Sequence, residues 1–370
     1  MTAEPSSAAR LLARILRADV SAPELAEWSV DDLASEADEH GVDRLVWQAI
    51  TRVPGAPEPL VAALASRARM AMAWDLLEQR ELSSMLRSLS SAGVRALLIK
   101  GTALAYSVYG APWHRPRMDT DVLVSSEQVA SAERALREAG YQRSNAMTSG
   151  EFVSHQASFE RVDPTGVSHI IDLHWKIVNP QILADSLPFD ELWLDALPIA
   201  ALDASARMPT HPASLVLACI HRLAHHQGHD RLIWLEDIRL LGARLDDAGW
   251  AALVRLACQR RVAGLCLDGL QQARDQLGGS LPAFVEGALA AAAPSEPSHL
   301  YLEGQLNRRQ VLASDLAALG SWRARLRLIR EHAFPPAAFI RERYGVKSSL
   351  LLPALYVHRL LTGAHKWVRP

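Results

Sequence analysis

Residues 115–124 read RPRMDTDVLV: two aspartates, Asp119 and Asp121, stand two positions apart and run into the apolar triplet Val122, Leu123 and Val124. Side chains alternate across a strand, so both carboxylates share one face while the triplet anchors the strand in a core. Carboxylates held side by side repel, and a site that keeps both ionised generally has a divalent cation between them. The competing reading is an exposed strand start with no ligand, and the flanking sequence decides between them.

Upstream, the apolar run VRALLIK at 94–100 is bounded by Gly93 and Gly101 and predicts a buried strand ending in Lys100. Gly101 and Thr102 then open a short helix, TALAYSVYG. A helix start offers free N–H groups and the positive end of a dipole, a glycine lets a phosphate approach the backbone, and a hydroxyl adds a donor. Lys100, Gly101 and Thr102 are therefore a candidate phosphate seat. Downstream, SSEQVASAERALREAG at 125–140 predicts a helix with Ser125 or Ser126 as N-cap and Gly140 as C-cap. Strands over about 151–161 and 167–175, joined by the turn-forming DPTG at 163–166, predict a hairpin.

The second hairpin strand contains HIIDLHW at 169–175, where Asp172 interrupts an apolar run. A buried charge there needs a partner. Beside Asp119 and Asp121 it would complete a three-acid site for two Mg²⁺ ions; otherwise it pairs with an arginine or with backbone N–H groups. His174 shares the face of Asp172, and Lys176 follows at the same period.

Around this segment the periodicity is helical, which predicts an α+β chain. A mixed-sheet core at 91–200 is flanked by an N-terminal helical region at 1–90 and a C-terminal helical domain at 201–370. With 39 Lys plus Arg against 41 Asp plus Glu, no whole-protein field draws the chain to nucleic acid or to acidic membranes. The last fifty residues are an exception, with ten Lys/Arg facing only Glu331 and Glu342. Cys219, Cys258 and Cys266 form no C-x-x-C pair, which argues against structural disulfides and a thiolate zinc site and fits a reducing cytoplasm. Arg10, Arg14 and Arg17 interrupt the apolar N-terminus, and no apolar run approaches the length of a membrane span.

A second cluster, CIHRLAHHQGHDRLIWLEDIRLL at 219–241, places His221 and His225 four apart on one helical face. No Glu follows His221, so the H-E-x-x-H pattern of a metalloprotease is absent. His226, His229, Asp230, Trp234 and Asp237 lie close by. A role in shaping a pocket, or in packing, is expected here rather than a structural zinc.

IKGTALAYSVYG, RPRMDTDVLV and HIIDLHW, in that order, resemble the three motif pieces of the nucleotidyltransferase superfamily that includes DNA polymerase beta. More narrowly, the chain resembles a poorly characterised bacterial nucleotidyltransferase family in its KG, RPxxDxDxLV and DLHW signatures and in the later H-x-x-x-H helix. The resemblance implies a nucleotidyltransferase-type core, two Mg²⁺ ions and an NTP such as ATP as donor. It implies that Asp119 and Asp121 bind both ions, that Asp172 binds the catalytic ion, and that Gly101 and Thr102 hold phosphates. Lys100 and Arg115 match its Lys-Gly and Arg-Pro and would meet the triphosphate; Arg117 adds charge to the same loop. The acceptor would be a hydroxyl on a small molecule or a modified peptide. Two rivals are a toxin-like enzyme acting on tRNA or protein, with the basic C-terminal region docking RNA or an acidic peptide, and a non-catalytic nucleotide-binding module. On the three-acid reading, Asp121→Asn is expected to leave metal-free stability unchanged or raised, because it relieves repulsion.

Overall fold

The computed structural model describes residues 6–144, 150–225, 230–304, 306–346 and 348–368, with backbone alone at 225 and 363–368. A five-stranded mixed sheet forms the centre. Its strands are β1 (Ala96–Leu98), β2 (Thr120–Val124), β3 (Gln142–Arg143), β4 (Gln156–Val162) and β5 (Ser168–His174), in the order β1-β2-β5-β4-β3. β1 and β2 are buried at every position, as continuous apolar runs require. β1 runs antiparallel to β2, and β4 is antiparallel to both β3 and β5. The parallel pairing is that of β2 with β5, reached through the helix Val129–Glu138 and the two strands that follow it.

The hairpin turn is made as its residues dictate. Asp163 Oδ1 accepts from the N–H groups of Thr165 and Val167 at 2.8 and 3.0 Å, and Gly166 takes a φ of 88° that favours glycine. β4 starts at Gln156, later than the periodicity predicts, because the N–H groups of 151–153 are directed to a side chain instead of to a ladder.

The 34-residue helix Glu58–Ser91 carries Asp75, Glu78 and Glu81 at three-residue spacing, all buried. Each acid has a partner from the sheet layer. Asp75 pairs with Arg117 and accepts from the Tyr106 hydroxyl; Glu78 Oε2 meets His169 Nδ1 at 2.7 Å; Glu81 Oε1 accepts from Tyr141 Oη at 2.6 Å and Arg161 Nη1 at 2.8 Å. The hydrophobic core continues from Leu11 through the sheet to Tyr301, so flanking helices and sheet share one interior. No helix among the described residues is long and apolar enough to cross a membrane.

The helices Arg308–Ala318 and Trp322–Ala333 attach to the sheet layer through carboxylates that accept from backbone amides. Asp315 Oδ1 accepts from Gln181 N at 2.8 Å, and Glu331 accepts from the N–H groups of Glu151, Phe152 and Val153 at 3.0, 2.9 and 3.1 Å. Arg327 pairs with Glu151 beside them, so part of the basic C-terminal charge is spent on holding this region. A methyl group at Gly150 would collide with the Glu331 carboxylate. Gly150→Ala and Glu331→Ala should therefore each lower stability by about 1–3 kcal/mol in urea titrations, through the same lost bonds. The double variant should cost no more than the worse single one; additive losses would show that the two positions act separately.

Candidate functional site

The parallel register sets Asp121 directly beside Asp172 on one face of the sheet, with His174 one step further along β5. Ligand atoms of Asp121, Asp172 and His174 all lie within 4.8 Å of one another. Asp121 Oδ1 accepts from both Lys100 Nζ and His174 Nε2, each at 2.7 Å, and Gln156 Nε2 donates to Asp172 Oδ2 at 3.0 Å. Burial would raise the Asp121 carboxyl, but the Lys100 ammonium and the His174 N–H outweigh it and hold the group far below its ordinary value. Because a carboxylate only accepts, the His174 proton on this bond sits on Nε2. Burial, and then the Lys100 charge, lower the His174 imidazole below its ordinary value.

Asp119 sits one residue before β2, at the rim of the site. Its carboxyl reaches solvent, yet the surrounding protein and the charges of Asp121 and Asp172 raise it from 3.8 to about 7. The tightest donor set is thus two aspartates and a histidine, with the third aspartate beside it. Such a set suits a divalent cation through its carboxylates, which are hard donors, and His174 would join them only by giving up the Nε2 proton it shares with Asp121.

The structure departs from the predicted phosphate seat at Thr102 and at Lys100. Thr102 is 1% exposed, and its hydroxyl lies 3.1 Å from Thr120 Oγ1 and 3.4 Å from the Asp119 carbonyl oxygen, so it braces the strand and does not face a ligand. Gly101 follows Lys100 at the helix start, with the Arg115 guanidinium 3.6 Å from where a Cβ would stand. Lys100 has a left-handed φ of 55°, an uncommon conformation for a non-glycine residue, and its ammonium is drawn onto Asp121.

Arg115, predicted to meet a triphosphate, is committed to a buried clamp. Its Nε and Nη2 donate to Asp237 at 2.9 and 2.7 Å, and Tyr109 Oη donates to the same carboxylate at 2.6 Å. Asp237 lies on the helix Leu232–Gly242, so the C-terminal helices reach the site through this bond. Arg117 pairs with Asp75 against Trp74 and Tyr106, and Lys176 pairs with Asp185 at 2.8 Å.

A family model described as an uncharacterised nucleotidyltransferase matches residues 26–278. The chain belongs to this family. The resemblance read from the three motif pieces is thereby borne out, and so is the α+β architecture with a mixed sheet and helical flanks. No curated protein matches the chain. The match also takes in the His221 helix, His211–His225, on which Arg222 is fully buried and pairs with Asp230 and Asp268. Among the described residues no cation site forms on this helix; the side chain of His225, and His226 and His229, lie outside them.

The reading of the sequence missed Gln156 and the acids Asp75, Glu78 and Glu81. The acids were detectable, since three carboxylates at helical spacing within a buried stripe demand partners. Gln156 left no signal before the β4–β5 register was known.

Asp119 also supplies a pH test. Between 3.8 and about 7 the folded protein holds a proton on Asp119 that the unfolded chain releases, so metal-free stability should fall as pH rises through this window. Asp315, raised to about 6 by burial, tilts the curve the same way. In EDTA, Asp119→Asn should flatten the decline and leave the Asp315 part. Identical slopes in wild type and variant would refute the shift.

Proposed function

We propose that the chain is a metal-dependent nucleotidyltransferase that moves an NMP from an NTP to a hydroxyl acceptor. The observation that carries the reading is the register of β2 against β5, which gathers Asp121, Asp172 and His174 beside Asp119. A divalent ion held by these side chains would supply Lewis-acid charge neutralisation for a triphosphate. Three acids against the single ammonium of Lys100 leave a surplus of negative charge that favours such an ion, and the exposed rim at Asp119 gives it entry.

The chain's own groups then have distinct parts. Gly101 lets the donor phosphates approach the backbone at the start of the helix Lys100–Ala105. Asp172, whose named partner is the neutral Gln156, accepts the proton of the attacking hydroxyl. The hydroxyl oxygen bonds to the α-phosphorus, the bond from that phosphorus to the bridging oxygen breaks, and pyrophosphate leaves with the electron pair. Arg115, fixed by Asp237, holds the loop that presents Asp119.

The pairing of Asp121 with Lys100 reverses the stability expectation for that residue. The two side chains are only 11% and 12% exposed, so Asp121→Asn strands a nearly buried ammonium and should lose roughly 3–5 kcal/mol even in EDTA. Asp172→Asn is the cleaner probe, because among the described residues no ion pair depends on it. It should keep or raise metal-free stability while abolishing both the thermal response to Mg²⁺- or Mn²⁺-NTP and transfer of an α-labelled nucleotide. A Cβ at Gly101 would meet the Arg115 guanidinium carbon at 3.6 Å, an ordinary contact, so Gly101→Ala should fold to within about 1 kcal/mol of wild type yet lose the NTP response. Retention of that response in both variants would sink the reading.

A further inference from the structure

A cavity of about 360 Å³ opens where the helices Asp43–Ile50 and Glu58–Ser91, the loop before β2 and the start of β5 meet. Its size is that of a small-molecule site and too small to enclose a folded macromolecule. Trp74, Trp113, Met118 and Ile170 give it apolar and aromatic walls, and three arginines line it. Two of these are already neutralised, Arg115 by Asp237 and Arg117 by Asp75. The third, Arg44, has no ion-pair partner among the described residues, and its Nε is buried without a hydrogen-bond partner. Asp43, Asp38 and Asp75 act on it only through space. A guanidinium whose Nε is buried without a hydrogen-bond partner, set in a pocket wall, is a recognition element for an oxyanion.

The cavity lies beside the acid cluster. Ile170 and Asp172 are on the same face of β5, two residues or about 7 Å apart, and Met118 adjoins Asp119. Arg115 lines the cavity and also lies against Gly101, so it forms the partition between this space and the phosphate seat. With donor phosphates at Gly101, a molecule in the cavity approaches Asp172 from the other side of that partition.

Resting on the nucleotidyl-transfer reading, we infer that this cavity holds the acceptor, a small anionic hydroxyl compound whose carboxylate or phosphate pairs with Arg44 while its apolar or flat body lies against Trp74 and Trp113. Its hydroxyl then extends along β5 toward Asp172, where the proton transfer and phosphorus–oxygen exchange described above take place.

The indoles in the wall provide the readout. Tryptophan fluorescence of the full chain in EDTA should titrate saturably with phenyl phosphate or benzoate, the tighter of the two identifying the anion, and should not respond to benzyl alcohol. Arg44→Met should weaken the anion at least tenfold without lowering the unfolding midpoint, Arg44→Lys should recover part of the loss, and Trp74→Leu should weaken binding with the charge intact. Mg-ATP should leave the anion bound. The inference fails if no anion saturates, if benzyl alcohol binds as well, if Arg44→Met binds like wild type, or if Mg-ATP displaces the probe, which would make the cavity part of the donor site. Arg44-dependent anion binding in a protein with no thermal response to any Mg-NTP would overturn the nucleotidyl-transfer reading and uphold the anion site.

Discussion

Pairing β2 parallel to β5 sets two carboxylates, Asp121 and Asp172, on adjacent strands with ligand atoms within 4.8 Å. Two like charges at that distance repel by roughly 3 to 4 kcal/mol at an effective dielectric of about 20. The sheet tolerates this because Lys100 and His174 converge on one oxygen of Asp121. Lys100 can reach that oxygen because the chain leaves β1 through a left-handed residue, turning its side chain back across the sheet while the Ile99 N–H still bonds to the Asp121 carbonyl at 3.1 Å. A conformation that costs of order 1 kcal/mol is thus offset by a nearly buried ion pair.

The opposite face carries a second layer of buried charge. Asp75, Glu78 and Glu81 on the long helix meet Arg117, His169, Tyr141 and Arg161. Such pairs contribute little net stability, because desolvation cancels most of the attraction, but each is costly to break from one side. Their effect is to fix register. A one-residue slip of the helix against the sheet would strand three carboxylates among Leu82, Met85 and the apolar faces of β2 and β5. The face that carries the candidate site is therefore held by a charge pattern on the face that does not.

Much of this was legible in the sequence. An apolar run bounded by glycines located β1, the apolar triplet after the aspartate pair located β2, and the DPTG turn located the β4–β5 hairpin, because burial and backbone conformation leave local marks. Asp119, Asp121 and Asp172 stood out because carboxylates in apolar strands need a reason. The partners were not legible. The motifs predict that Thr102 and Arg115 face a ligand, yet one is turned to Thr120 and the other to Asp237, 122 residues away along the chain. Residue type and spacing give a side chain's chemistry; its partner depends on which distant helix packs against the loop. β3 is only two residues long and owes its strand character to β4, so no periodicity could reveal it.

The extent of the family match follows the same physical division. Residues 26–278 contain every group named at the site, from Arg44 and the acids of the long helix to Asp237. Through Asp237 the C-terminal helices reach Gly101, since that carboxylate holds Arg115 and Arg115 lies against Gly101. Loosening the helix Leu232–Gly242 would therefore be felt at Gly101 without any change in the acids. Beyond residue 278, by contrast, the chain attaches to the sheet layer by Asp315 and Glu331 accepting from backbone amides at 181 and at 151–153. Bonds of that kind depend on an acceptor meeting free N–H groups and on little else, and among the described residues the segment they hold adds no side chain to the acid cluster.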